Sequence, residues 1–410
     1  MDRRVLFAAL ILFAGGATGV GVAVFAFVGI DDTTADTEVL WTSEPAAGDD
    51  GTGAVVATVD GDPYVIQPAT VDETGVLRAL DADGDVTWTA PLPDGIDPGG
   101  TSDPVVADVD GDAVVVFTTA AGDLVVLEAA DGTERFSASV TDGPTVAPAA
   151  VDLDGDGTAA FAVLEGDGTL VAVDAAGELL FEAKLAGDAV LDPLPVAGEE
   201  ADGSESAGSP SGRLAGSGIA ALTEDADGQH VSVVDADGEV VWTTRPDGTA
   251  LNWNVADSRR GGVVALGGAD GALTTLEVTD GTPRYEVGLQ DVPVDVGEPT
   301  AGRIHVGGVG DVWAVDLLDG EVVWKQQYGG DTRVNAPATG DVTGDGSLET
   351  VAVNRDGGVL ALNRNGEAVV RGDAGGIVAY GSPLTADVTG DGRAEILVVG
   401  DDGTVVALGT

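Results

Sequence analysis

The sequence Asp387-Val-Thr-Gly-Asp-Gly-Arg-Ala-Glu395 has a near-copy 46 residues upstream, Asp341-Val-Thr-Gly-Asp-Gly-Ser-Leu-Glu349. Each copy follows an apolar segment with a proline and precedes a short apolar strand, an Asp-Gly turn and a second apolar strand. Short strands separated by Asp-Gly turns are typical of antiparallel hairpins. A repeat of about 40 to 50 residues with about four strands predicts the blade of a β-propeller.

Following this repeat backwards through the chain predicts an all-β fold. We expect an eight-bladed β-propeller of four-stranded antiparallel blades over residues 37–410. The predicted blades begin near Gly53, Ser102, Thr145, Val190, Leu251, Val292, Arg333 and Ile377. The fourth blade contains an insertion, residues 198–212, whose Gly, Ser and acidic composition predicts a disordered loop. Seven blades, with one segment miscounted, is the alternative.

The closing strand of most blades carries an aromatic residue four positions after a turn glycine. The tryptophans at this position are Trp88, Trp242 and Trp324, the weaker copies have Phe136, Phe181 and Tyr285, and the seventh blade has Val370. Because the neighbouring strands are rich in Ala, Val and Gly, we expect these rings to pack as structural wedges between adjacent blades.

The last repeat ends at Thr410, before any closing strand. A strand of the same type occurs near the other end of the chain, as Glu38-Val-Leu-Trp41. Pairing this strand with the last blade would close the ring and remove its exposed sheet edges. The sequence therefore predicts ring closure by an N-terminal strand.

The composition is strongly acidic. Asp and Glu number 71 against 17 Lys and Arg, which gives a formal net charge of −54. Strong brine tolerates such self-repulsion because the screening length falls to about 3 Å at 1 M salt. The composition thus indicates a halophilic host, most plausibly a haloarchaeon. It argues against nucleic acid as a partner, because phosphate binding needs a basic surface.

Residues 5–30 carry no charge, follow Arg3 and Arg4, and precede Asp31 and Asp32. Such a run is long enough to span a membrane, and its flanking charges favour an inside N-terminus. We expect residues 1–30 to be a single-pass membrane anchor, 31–36 an acidic linker, and the propeller to be extracellular. A twin-arginine export signal and a cleaved signal peptide are the alternatives.

The acidic loops have the residue types of a metal site. In the last loop the predicted ligands are Asp387, Thr389, Asp391, the Arg393 carbonyl and Glu395, and the upstream loop repeats them as Asp341, Thr343, Asp345, Ser347 and Glu349. Alternating oxygens around a glycine bend suit calcium first and magnesium second. A third loop has Asp152, Asp154, Asp156 and Thr158 but Ala160 at the closing position. Asp108, Asp110 and Asp112 look like a degenerate copy.

These loops resemble FG-GAP (integrin-α-like) repeats, a resemblance that implies bound calcium. The pattern from Ala314 to Trp324 resembles the tryptophan-docking repeat of pyrroloquinoline quinone (PQQ) enzymes and of bacterial outer-membrane assembly propellers such as BamB. Together the two resemblances cover nearly all of residues 38–410. The PQQ-like repeat raises the hypothesis of a quinone-dependent dehydrogenase.

Other residues argue against catalysis. There is no cysteine, Lys184 and Lys325 are the only lysines, and His230 and His305 stand alone in apolar strands. No zinc-type spacing or nucleophile elbow accompanies them. The sequence therefore favours a noncatalytic platform for a protein partner, with structural calcium and no PQQ. A calcium-dependent adhesion or cell-envelope structural protein is the alternative.

Overall fold

The computed structural model describes residues 34–46, 53–71, 74–92, 101–140, 146–198, 213–289, 295–328, 332–379 and 381–410. The predicted membrane anchor and most of the predicted disordered insertion lie outside these residues. Within them, no helix is long and apolar enough to cross a membrane. The strands form eight sheets, each with four antiparallel blade strands, so the eight-bladed prediction is confirmed and the seven-bladed alternative is wrong.

Two short strands precede the blades, β1 (Ala35–Asp36) and β2 (Glu38–Thr42). The first blade contains β3 (Val55–Val59), β4 (Asp62–Val71), β5 (Thr74–Leu80) and β6 (Val86–Pro91). The second contains β7 (Val105–Val109), β8 (Asp112–Thr118), β9 (Asp123–Glu128) and β10 (Glu134–Ser139). The third contains β11 (Ala149–Val151), β12 (Ala160–Leu164), β13 (Thr169–Val173) and β14 (Leu179–Lys184). The fourth contains β15 (Asp188–Ala197), β16 (Ser217–Asp225), β17 (Gly228–Asp235) and β18 (Val240–Thr244).

The remaining blades follow the same order. The fifth contains β19 (Ala250–Ser258), β20 (Gly261–Gly268), β21 (Ala272–Glu277) and β22 (Pro283–Gly288). The sixth contains β23 (Asp295–Thr300), β24 (Arg303–Gly307), β25 (Asp311–Asp316) and β26 (Val322–Gln327). The seventh contains β27 (Ala338–Gly340), β28 (Glu349–Val353), β29 (Gly358–Leu362) and β30 (Ala368–Asp373). The eighth contains β31 (Leu384–Ala386), β32 (Glu395–Val399), β33 (Val405–Gly409) and, as its outer strand, β2.

The N-terminal strand closes the ring as predicted. Strand β2 pairs antiparallel with β33, and its register places Glu38 opposite Gly409 and Trp41 opposite Ala407. Of the predicted acidic linker over residues 31–36, the structure describes residues 34–36. Ala35 and Asp36 form β1, which pairs in parallel with β30 as a fifth strand of the seventh blade. An unpaired outer strand can bind another segment through backbone hydrogen bonds alone, and this type of pairing leaves no pattern of side chains in the sequence.

The hydrophobic core lies between successive blades. The second strands β12, β28 and β32 are buried along their whole length, and apart from Glu349, Thr350 and Glu395 their residues are apolar. Side chains from neighbouring blades join in shared clusters, such as Phe117 with Leu77 between the first two blades. Each blade is thus stabilised mainly by its neighbours, and closure of the ring removes the two unpaired blade faces.

The aromatic residues of the closing strands pack as the predicted wedges. Each ring lies against a turn glycine of the next blade, at a position where a Cβ atom would come within 3 Å of the ring. The pairs are Trp41 with Gly84, Trp88 with Gly132, Phe136 with Gly177, Phe181 with Gly238, Trp242 with Gly281, Tyr285 with Gly320 and Trp324 with Gly366. All seven glycines have positive φ angles, so a side chain at any of these positions would strain the backbone and would also clash with the aromatic ring.

The exception in the seventh blade has a structural cause. The strands β33 and β2 come from opposite ends of the chain, so the eighth blade has no turn between its third and fourth strands. An aromatic ring at Val370 would have no turn glycine to cover. Instead, Val370 is buried and pairs with Ala35 of β1.

Candidate metal-binding loops

The three predicted metal loops occupy equivalent positions in their blades. The loops of residues 152–158, 341–349 and 387–395 each connect the first strand of a blade to the second, in the third, seventh and eighth blades. Strand direction alternates within a blade, so all three loops lie on the same face of the propeller, together with the turns between the third and fourth strands. We call this the loop face.

Similar hydrogen bonds from backbone amides to side-chain carboxylates fold all three loops. In each loop the first aspartate accepts hydrogen bonds from two backbone amides of the glycine-rich bend. One of these bonds is to its Oδ2 atom, at 2.8–3.0 Å, and the donors are Gly157 N for Asp152, Gly346 N for Asp341 and Gly392 N for Asp387. The fifth-position carboxylate caps the amide two residues further on. These bonds set the carboxylates on the inside of the bend.

The closing acids are buried in two of the loops. Glu349 and Glu395 begin the second strands of their blades with 2% and 3% of their surface exposed. Each is joined to the third-position threonine, because Thr343 Oγ1 lies 3.3 Å from Glu349 Oε2 and Thr389 Oγ1 lies 3.0 Å from Glu395 Oε1. Burial, reinforced by the charges of Asp345 and Asp341, raises the pKa of Glu349. A bound cation would offset that desolvation cost.

The third loop brings its carboxylates closest together. Oxygen atoms of Asp152, Asp154 and Asp156 all lie within 4.8 Å of one another. In the described part of the chain this is the only group of three or more acidic, His or Cys side chains with such spacing. Ala160, at the closing position, begins β12 and is buried, so water or backbone oxygens would have to complete a coordination shell here.

The degenerate copy in the second blade has a different structure. Asp110 and Gly111 form a two-residue turn with positive φ angles of 58° and 90°, which leaves no room for a metal loop. The Arg135 guanidinium lies 3.2 Å from Asp110, 3.8 Å from Asp112 and 3.4 Å from Glu128. Sequence reasoning missed this arginine, which supplies a positive charge beside the acidic turn. Its only sequence signal was its place directly before the wedge Phe136.

The two histidines lie in different blades and have different partners. His305 is buried, stacks on Trp324 at 5.8 Å between ring centroids, and bonds through Nδ1 to the Glu298 carbonyl. Burial lowers the pKa of His305 to about 4. His230 lies in β17 with Nε2 3.1 Å from Asp225. Lys325 is on the outer strand β26, where its ammonium lies 2.7 Å from Asp311 and over the Trp313 ring.

Comparisons with known proteins agree with both sequence resemblances. Residues 30–158 and 153–281 match the family described as outer membrane protein assembly factor BamB. Residues 341–398 match the FG-GAP-like repeat. No curated protein sequence matches the chain.

Solved structures share the fold at low identity. BamB from Moraxella catarrhalis has a TM-score of 0.56 and 17% identity over 91% of this chain and 98% of that one. The computationally designed protein Ika8 has a TM-score of 0.65 and 15% identity over 91% and 99% of the two chains. Saccharomyces cerevisiae Sqt1 has a TM-score of 0.63 and 13% identity over 92% and 98%.

Eight four-stranded blades, docked aromatic wedges and acidic loops define an eight-bladed β-propeller built from PQQ-like repeats with FG-GAP-like loops in its last two blades. Because the BamB match extends over more than half of the sequence, the chain belongs to the BamB family of assembly factors.

Proposed function

We propose that this protein is a noncatalytic, membrane-anchored, extracytoplasmic platform that binds a protein partner. The observation that carries the proposal is the match of residues 30–281 to a family described as an assembly factor. The shape of the molecule supports it, because a closed ring holds the loops of all blades in fixed relative positions. A rigid loop face of this kind loses little conformational entropy on binding.

Calcium is the proposed structural ion of the loops at Asp341 and Asp387, and of the loop at Asp152. Magnesium is the second choice, because it requires a nearly ideal octahedral coordination geometry. A bend that supplies backbone ligands meets this requirement less easily than the flexible geometry of calcium. An ion bound only by the folded chain at a hundredfold excess over its dissociation constant would add about 2.7 kcal/mol per site. The proposed role of the ion is therefore to brace the loop face.

The membrane location rests on residues 1–30, through which the propeller would be tethered outside the cytoplasm. Residues 1–30 precede β1 and β2 in the sequence, and these strands pair with the seventh and eighth blades. The net charge of −54 fits a halophilic environment. The same charge disfavours nucleic acid as a partner, because an acidic surface repels phosphate groups.

A calcium-dependent adhesion or cell-envelope structural role is the second candidate. The FG-GAP-like match of residues 341–398 favours it. A PQQ-dependent dehydrogenase is the weakest candidate, because among the described residues the two histidines and Lys325 serve packing and ion pairs.

Cross-linking of native membranes in high salt, with and without a chelator, tests these alternatives. Capture of one discrete membrane protein supports the platform. Capture of surface-layer protein or glycan that is lost on chelation supports adhesion and contradicts the platform. Addition of PQQ and calcium should give no quinone absorbance and no dye reduction, and either signal would restore the enzyme hypothesis.

A further inference from the structure

The loop face contains a cavity of about 730 Å³ where the eighth blade meets the first. Its walls are the start of the Asp387 loop on one side and, on the other, the turn at Gly61, the first residues of β4 and the turn at Asp81. Its volume falls in the range of small-molecule and side-chain sites. The acidic lining residues are Asp62, Asp81 and Asp387, and none of the described residues that line it is basic.

An equivalent position in the seventh blade shows what fills such a space. Gly344 and Gly390 occupy the same place in the two near-identical loops and have φ angles of 71° and 73°. Arg393, from the following blade, covers Gly344 so closely that a Cβ atom there would lie 2.7 Å from its Cγ and 3.2 Å from its Nε. Gly390 has nothing within 4 Å of the same point and lines the cavity. The first blade supplies no counterpart of Arg393, because its loop is only the turn Asp60-Gly61.

A second, independent comparison also points to an arginine, here one paired with carboxylates, whereas the Arg393 guanidinium donates to the Thr410 carbonyl. The turns Asp60-Gly61 and Asp110-Gly111 are equivalent, and each is followed by an aspartate, Asp62 or Asp112. In the second blade Arg135, directly before the wedge Phe136, neutralises this turn. The first blade has Thr87 at that position, directly before the wedge Trp88, and its hydroxyl bonds to the Ala79 carbonyl instead. Among the described residues, Asp62 has no ion pair with a guanidinium, unlike its counterpart Asp112.

We propose that this cavity, the seam cleft, receives an arginine side chain from the protein partner. The guanidinium would lie between Asp62 and Asp81, and its methylene groups would pack on Gly390, Pro63 and Tyr64, as Arg393 packs on Gly344. This inference rests on the proposed function, because it assigns the partner's contact to one place on the loop face. Asp387 and Thr389 of the proposed calcium loop line one side of the cleft, whereas Asp62 and Asp81, which would contact the guanidinium, lie outside that loop.

The probe that tests the site is the blocked tripeptide acetyl-Gly-Arg-Gly-amide, titrated into glycine-labelled protein with calcium, at the lowest salt concentration that keeps the protein folded. The matched control peptide carries citrulline, which has the same shape without the charge. We expect a saturable shift of the Gly390 amide resonance with the arginine peptide, and affinity about tenfold lower with citrulline. Equal binding of both peptides, or no saturable shift with either, would overturn the proposal.

Two variants sharpen the test. The double variant Asp62→Asn, Asp81→Asn keeps the shapes of these exposed turns, since the Asp81 Oδ1 that caps Asp83 and Asp85 is retained in asparagine. It should lose about tenfold in affinity for the arginine peptide. Thr87→Arg installs the counterpart of Arg135 and should fill the cleft, which would abolish the shift while raising the melting temperature. A Thr87→Arg protein that is folded and binds the peptide as the wild type does would contradict the assignment.

The double variant also separates this inference from the proposed function. Cross-linking of the same membrane partner by wild type and double variant alike would overturn the seam cleft as the contact and leave the platform standing. Failure of the wild type to capture any partner, with the arginine peptide still bound at Gly390, would contradict the platform alone.

Discussion

Trp41 of the N-terminal strand lies against Gly84 of the first blade, at a point where a Cβ atom on that glycine would be 2.6 Å from the indole. This contact joins the eighth blade to the first across the seam of the ring, while β2 pairs with β33. The strand therefore contributes to closure twice, through its backbone within the eighth blade and through its ring to the next blade.

Trp41→Ala should open this seam. Loss of a packed indole costs about 3 to 5 kcal/mol in a core, and the partial exposure of Trp41 places the expected loss in unfolding free energy near 2 to 3 kcal/mol. Urea denaturation in high salt measures it. Val39→Ala, on the same strand but 47% exposed, is the control and should change stability by less than about 0.5 kcal/mol. Similar effects of the two substitutions would show that Trp41 is not a wedge.

Gly366→Ala should destabilise the protein more than Gly376→Ala. Both glycines have positive φ angles, of 78° and 83°, so both substitutions carry backbone strain of about 1 kcal/mol. A Cβ atom at Gly366 would also lie 2.7 Å from the Trp324 ring, whereas Gly376 has nothing within 4 Å. Thermal unfolding of the two variants should differ by several degrees. Equal melting temperatures of the two variants would mean that the Trp324 ring can move away from residue 366 without loss of stability.

His305 should make the fold less stable in mild acid. Its pKa of about 4 in the folded chain is below the usual value of 6.5, so the unfolded chain binds the proton more tightly. The stabilising contribution is full above pH 6.5 and is lost as the pH falls toward 4, with about 2 kcal/mol lost between pH 7 and pH 5.

His305→Asn tests this contribution, because the asparagine amide can still donate to the Glu298 carbonyl as Nδ1 does. The difference in unfolding free energy between pH 7 and pH 5 should shrink by about 2 kcal/mol relative to wild type. Carboxylates elsewhere titrate equally in both proteins and cancel in the comparison. An unchanged pH dependence would show that His305 ionises freely in the folded chain.

Dialysis to low salt without calcium should unfold the propeller. The formal charge of −54 repels itself more strongly as screening weakens, and the acidic loops lose their proposed ions at the same time. Loss of the strand signal in far-ultraviolet circular dichroism, restored by calcium or by salt, is the expected result. A spectrum that stays unchanged would count against a halophilic protein.

Sequence periodicity was sufficient to predict the blade number, the closing strand and the wedges. These features depend on patterns that repeat, such as the Asp-Gly turns and the aromatic four residues after each turn glycine. The first strands of the blades begin within seven residues of the predicted positions, with the largest difference at Leu384 in the eighth blade.

Structural features that occur only once in the chain could not be predicted from a repeating sequence pattern. Strand β1 binds the edge of β30 through backbone groups, so Ala35 and Asp36 looked like a linker. The contacts of Arg135 with Asp110 and Arg393 with Gly344 join residues 25 and 49 positions apart, and their meaning depends on which turns share a face. The acidic loops were identifiable from residue types, whereas the close approach of Asp152, Asp154 and Asp156 without a closing acid required coordinates.

Calcium titration of the purified protein by calorimetry in high salt tests the proposed bracing of the loop face most directly. The variants are Glu349→Gln, Glu395→Gln and Asp154→Asn, with Asp110→Asn of the arginine-paired turn as the control. We expect each of the three to remove one bound calcium and to lower the calcium-dependent gain in melting temperature, and the control to change neither. A stoichiometry that is unchanged in the Glu349→Gln, Glu395→Gln double variant would contradict calcium bracing at these loops.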